Sequence, residues 1–214
     1  MDNTTITSVK GFVATGVSCG IKKSGNKDIG LIYCPDGAVA TGVFTTNKVV
    51  SPSVTVCKEH IRSGKVGAVV INSGNANTCT GKKGFQDAEG MCRRAGDKLG
   101  VVSSKVLVAS TGIIGEYLPM SKIKAGIDSA VKNLSDDTSG GEAFARSIMT
   151  TDTKVKQAVR KIEISGKQIT IAGTAKGAGM IGPNMATTIS VITTDAAISK
   201  VLLKKAFRKA IDNS

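Results

Sequence analysis

The chain has 214 residues, 29 lysines and arginines against 16 acids, a formal net charge of +13, no tryptophan, and 25 glycines spread along its length. That is enough for one large domain or two small ones. The ordinary apolar content supplies a core of Val, Ile, Leu and Ala rather than of aromatics. The basic residues are scattered as pairs such as Lys22-Lys23, Lys82-Lys83 and Lys204-Lys205, with no aromatics interleaved for base stacking. The charge therefore argues against nucleic acid and leaves two readings open, a solvated basic surface and a basic pocket for carboxylate-bearing substrates.

In chain order, 11–23 (GFVATGVSCGIKK) and 27–34 (KDIGLIYC) read as strands. A third strand is expected over 38–47, after a turn at Pro35-Asp36-Gly37. Residues 51–64 read as a strand running into a short helix that ends near His60. The apolar run 66–77 (VGAVVINSGNAN) reads as a buried strand ending in a polar loop. Helical spacing covers 84–100 and stops at Gly100. Residues 105–115 (KVLVASTGIIG) repeat the strand-then-polar-loop pattern. Helices are expected over 119–134, capped by Ser121, and over 140–152. A hairpin turns at Ser165-Gly166, an apolar strand lies within 187–199, and a basic amphipathic helix starts at Lys200. The class is mixed α/β.

The five cysteines (19, 34, 57, 79, 92) form no C-x-x-C pair and are odd in number. Neither a disulfide framework nor a zinc ribbon is expected, and a single histidine, His60, cannot build a multi-histidine metal centre. His60 reads as a surface or capping residue. The N-terminus lacks the layout of a signal peptide, and no apolar run is long enough to span a membrane. A cytoplasmic protein, with neither membrane nor nucleic acid as partner, is the expectation.

Chemistry would sit where strands end in small polar loops: 72–81, 109–115 and 176–188. None is a Walker or dinucleotide loop. With histidine scarce and no convincing carboxylate pair, the remaining device is a hydroxyl nucleophile made N-terminal by cleavage, its own amine serving as base. Such an amine titrates near about 7.7–8.0. The glycine-rich stretch KGAGMIGPNMATTIS (176–190) places Thr187 after Ala186, in a backbone able to accept strain.

That stretch closely resembles the self-cleavage region of the ornithine acetyltransferases (glutamate N-acetyltransferases) of arginine biosynthesis. GFVATGVSCGIKK, DIGLIYC and GVFTTNKV within 11–49, VVINSGNANTCTG (69–81), VLVASTGIIGEYLPM (106–120) and SIMTTDT (147–153) agree in the same order. The resemblance implies a layered αββα sandwich shared with self-cleaving aminopeptidases. It also implies cleavage between Ala186 and Thr187, giving an α-chain region over 1–186 and the start of a β-chain over 187–214. Thr187 becomes the nucleophile that carries acetyl from N2-acetylornithine to glutamate, with acetyl-CoA as a further donor in some members and no metal or other cofactor. Thr111 and Gly112 match the oxyanion-hole pair; Thr153, Lys176 and Thr187 match substrate-binding positions. An α2β2 heterotetramer is implied for the complete protein. Members run to roughly twice this length, as two-domain chains do, so a truncated member is expected, inactive alone and lacking the pocket residues that follow. A non-catalytic α/β interaction module and a related self-cleaving aminopeptidase are the competing expectations. The words around Thr187 and Thr111 favour the acetyltransferase over the peptidase.

Overall fold

The computed structural model describes residues 5–62, 64–177 and 187–213. Two sheets face each other. The first has the order β1-β2-β3-β4, built from β1 (Val13–Val17), β2 (Ile29–Val39), β3 (Lys65–Asn75) and β4 (Val106–Ile113). β1, β2 and β3 pair antiparallel, whereas β3 and β4 run parallel, with Ser73 opposite Thr111 and Gly74 opposite Gly112. The second sheet, β5 (Lys156–Ile164), β6 (Lys167–Lys176) and β7 (Ile189–Thr194), is antiparallel throughout.

β3 is central in the first sheet and apolar on both faces, as a strand covered on both sides must be. Ala68 and Val70 face a core shared with α1 (Pro52–His60), α2 (Gly81–Leu99) and α3 (Met120–Lys132). Val69 and Ile71 face the second sheet and α4 (Thr138–Ser147), packing with Phe144, Ile148, Ile189 and Val191. In α2 the buried set Ala88, Met91, Cys92 and Ala95 has the i, i+3, i+4, i+7 spacing of a one-sided helix. Gly100 ends it at φ +69°, returning its N–H to the Gly96 carbonyl. The layers thus run helices, sheet, sheet, in keeping with the expected sandwich, and α5 (Lys200–Asp212) follows β7.

Several local expectations are corrected. The Pro35-Asp36-Gly37 step is not a reversing turn. β2 runs through it with a shift of register between Tyr33 and Ala38, Gly37 at φ +65°, and ends pairing Val39 with Lys65. No strand forms over 40–47. Pro35 offers no N–H and Gly37 accepts a positive φ, so the ladder absorbs the segment as an irregularity. The β-branched run Val54-Thr55-Val56 lies in a helix from its start. Pro52 opens that helix, and the buried set Ser53, Val56, Cys57 spaces as a helical face, overriding strand propensity. Ser121 does not cap α3, which begins at Met120 after Pro119 with no side-chain cap. α4 ends at Ser147 instead of reaching Asp152, freeing Ile148–Asp152 as a loop. His60 is the last residue of α1, where its Nδ1 lies 2.8 Å from the Val106 carbonyl and fastens the helix end to β4. All five cysteines are free.

Candidate active site

The C-terminal end of β4 and the junction between β6 and β7 meet across the gap between the sheets. Strand alternation aims Thr111 and Lys176 into that gap from opposite sides. Lys176 is 4% exposed. Its Nζ donates to Thr111 Oγ1 at 2.9 Å and to the Thr187 carbonyl oxygen at 3.3 Å. An ammonium has only donors, so Thr111 Oγ1 accepts and its own hydroxyl hydrogen remains available to another acceptor. Burial pushes the Lys176 ammonium below its ordinary range; Asp152 opposes that shift and Lys156 adds to it.

Gly112 has φ +137°, and a Cβ there would run into the backbone of Gly74, its partner in the β3–β4 ladder. Gly74, at φ +103°, is covered in turn by Ile21 and Lys22. Only glycine at both positions lets two strands approach so closely while turning into loops. Thr187 itself holds φ +68°, rare for a β-branched residue and a mark of a backbone constrained by its surroundings.

The sequence-derived residues thus divide. Thr111, Gly112, Lys176 and Thr187 all line one cleft of about 2130 Å³. Thr153 is exposed, and Thr150, Thr151 and Asp152 line the cleft beside it. Ala186 lies outside the described residues. The sequence reading missed Asp152, whose side chain is fully enclosed. It also missed Lys22, half-buried and pushed below the ordinary lysine range by burial, against the opposing charges of Asp28 and Asp152. The word TTDT carried Asp152, but a lone acid in a polar run gives no sign of burial. Among the described residues no cluster of His, Cys, Asp and Glu could hold a metal ion, and no helix is long and apolar enough to cross a membrane.

Two facing sheets, the first backed by helices, with hydroxyl groups and an enclosed lysine between them, define the class. The same layering occurs in the L-aminopeptidase D-Ala-esterase/amidase of Ochrobactrum anthropi, a variant among the Ntn hydrolase fold, at TM-score 0.57 over 97% of this chain and 67% of that one. At 17% identity the likeness is one of fold. Closer matches fix the family. The ArgJ family model matches residues 13–214. The arginine biosynthesis bifunctional protein ArgJ of Caldanaerobacter subterraneus subsp. tengcongensis is 48% identical over 96% of this chain and 50% of its own length; that of Thermotoga neapolitana is 46% identical over 96% and 51%. The crystal structure of ArgJ from Bacillus halodurans superposes at TM-score 0.82 with 41% identity, over 87% of this chain and 96% of that one. The ornithine acetyltransferase of Mycobacterium tuberculosis, complexed with ornithine, does so at 0.80 with 38% identity, over 87% and 98%. This chain belongs to the ArgJ family. It spans about half the length of the curated relatives it matches.

Proposed function

We propose that the protein to which this chain belongs is a cytoplasmic acyltransferase of arginine biosynthesis, moving acetyl from N2-acetylornithine to glutamate through an ester on Thr187, with acetyl-CoA a further donor in some members of the family. The observation that carries the reading is the Lys176 ammonium bridging Thr111 and the Thr187 carbonyl, a site assembled from both sheets. Cleavage between Ala186 and Thr187 frees the Thr187 amine. A neighbouring buried cation favours the neutral form of that amine, the form that can act as base. The amine takes the hydroxyl proton as Thr187 Oγ1 attacks the acetyl carbonyl. The tetrahedral oxyanion accepts hydrogen bonds from the Thr111 hydroxyl and the Gly112 amide. The proton then passes to the departing amine, ornithine leaves, and the glutamate amine attacks the ester by the reverse steps. Thr153 and Lys176 serve as substrate contacts in this reading, and two copies each of the 1–186 and Thr187-started chains form the complete assembly.

Support for the cleavage comes from the solved relatives. Their chains are covered over 96–98% of their length by 87% of this one, a length that corresponds to the part before Thr187. The test joins residues 1–214 to the remaining half of the Caldanaerobacter relative and assays ornithine release and acetylglutamate formation, with mass analysis for an acetyl ester on Thr187. Transfer through that ester is expected from the joined protein and not from the 214-residue chain by itself. An active joined protein with no acetylated Thr187, or a joined protein that folds and transfers nothing, would overturn the reading.

A further inference from the structure

Asp152 has a side chain with 0% exposure, between the end of α4 and the start of β5. A buried carboxylate is tolerated only when its lone pairs are met. Its Oδ1 accepts from Lys156 Nζ at 2.5 Å and from the Gly177 N–H at 2.9 Å; its Oδ2 accepts from the Thr150 N–H at 3.3 Å. Those donors belong to three segments: the loop after α4, the first residue of β5, and the residue after β6. Burial works to raise the Asp152 carboxyl, but the Lys156 hydrogen bond, then the Gly177 and Thr150 amides and the Lys156 charge, outweigh it and bring it down to about 2.

The Gly177 contact matters most for the site. Gly177 directly follows Lys176 and holds φ +143°, and a Cβ on it would lie 3.2 Å from Thr188 Oγ1. The carboxylate therefore grips the very peptide that joins Gly177 to the lysine bridging Thr111 and Thr187, beside the residue after Thr187. Three cations bear on this place among the described residues: Lys156 from β5, Lys176 from β6, and Lys22 from the loop after β1. Asp152 is the acid common to all three.

We propose that Asp152 is the positioning residue of this site: it pins the Lys176–Gly177 peptide so that the Lys176 ammonium spans Thr111 and Thr187, and its charge balances that ammonium inside the enclosed gap. The proposal rests on reading Thr111 and Thr187 as the chemical machinery, but it concerns charge and placement and needs no turnover to be tested. Asp152 touches no reacting atom. It acts through Lys176, on which its field and that of Lys156 have opposite signs.

The test uses the 214-residue chain labelled with 13C and 15N lysine. The Lys176 Cε–Hε resonance, assigned with Lys176→Arg, is followed through a pH titration. Asp152→Asn is expected to move the Lys176 midpoint to lower pH, and Lys156→Met to move it to higher pH, while the remote Lys98 and Lys124 stay in place. A merely structural role would shift lysine signals without that opposition of sign. A Lys176 midpoint unmoved in Asp152→Asn, or moved the same way in both variants, overturns the proposal. Should Asp152→Asn fail to fold by circular dichroism, the native sequence decides: the Lys176 Cε–Hε signal is followed from pH 5 down through the protonation of Asp152, and a step in that signal supports the proposal while its absence overturns it. The proposal can fail while the joined protein still transfers acetyl, and it can hold while transfer fails, so the two readings are separable.

Discussion

Thr111 is held as an acceptor by Lys176, and this is why its own hydrogen can serve a developing oxyanion. A donor aimed at charge that appears only in the transition state acts on turnover more than on binding. In the joined, self-cleaved protein, Thr111→Ala is therefore expected to lower kcat by about 10²–10³-fold with KM little changed. Steady-state ornithine release checks this, and a change confined to KM would make Thr111 a binding residue. Thr187→Ala should leave one uncut chain by intact mass, whereas Thr187→Ser, which keeps a hydroxyl, should still cut. Asp152 carries a stability consequence with a definite sign. Its folded value, about 2, lies below the ordinary carboxylate value. The stabilisation is thus complete above about pH 4 and is lost as pH falls toward about 2, an amount on the order of 2 kcal/mol. Urea unfolding between pH 5 and pH 2 should show this loss in the native sequence and a flatter profile in Asp152→Asn.

At the scale of elements, close approach between backbones decides the outcome. A Cβ on Gly16 of β1 would strike the Ala143 carbonyl in α4, and one on Gly30 of β2 would strike Ser147 Oγ and the Phe144 ring. These two glycines let α4 lie directly on the β1–β2 pair, where Ser73 Oγ of β3 also donates to the Ser147 carbonyl. Gly16→Ala meets fixed backbone rather than a flexible side chain and should destabilise by roughly 1–3 kcal/mol, measured as a lower urea midpoint at unchanged slope. Gly112→Ala combines a positive φ with a clash against the Gly74 backbone. It should cost stability and displace the Gly112 amide from its proposed place at the oxyanion, so in the joined protein kcat is expected to fall even in preparations that are fully folded by circular dichroism.

For the whole molecule, the apolar surface left outside both cores is informative. The outer face of the second sheet exposes Ile162, Ile171 and Ile192, with Ile164 beside them at 53% exposure. α5 has no buried residue: Leu203, Phe207 and Ile211 line the wide cleft, while Val201 and Leu202 are exposed on the helix at 78% and 58%. A cleft of about 2130 Å³ exceeds what one small ligand fills. Exposed apolar faces of this kind favour association. The 214-residue chain is therefore expected to bind a hydrophobic dye such as ANS and to self-associate in sedimentation experiments. Joining it to the remaining half of a full-length relative should reduce both; dye binding equal in the two proteins would count against this account.

Much of the architecture was legible because local physics and the fold agree. The apolar run of β3, the one-sided spacing of α2 with its glycine stop, and the Ser165-Gly166 hairpin each demand one local structure, and each is present. The words around Thr111, Lys176 and Thr187 determined the family, because sequence carries chemistry wherever residue types are unusual for their setting. What it could not carry was decided by packing at long range. The helix over Pro52–His60 overrides β-branched propensity because Val56 and Cys57 must reach a core built from other segments. The irregular passage of β2 through Pro35–Gly37 depends on its pairing with β3. The role of Lys176 depends on residue 111, and the enclosure of Asp152 on donors at 150, 156 and 177; burial and hydrogen-bond partners are properties of neighbours in space, and only the tertiary structure supplies those neighbours.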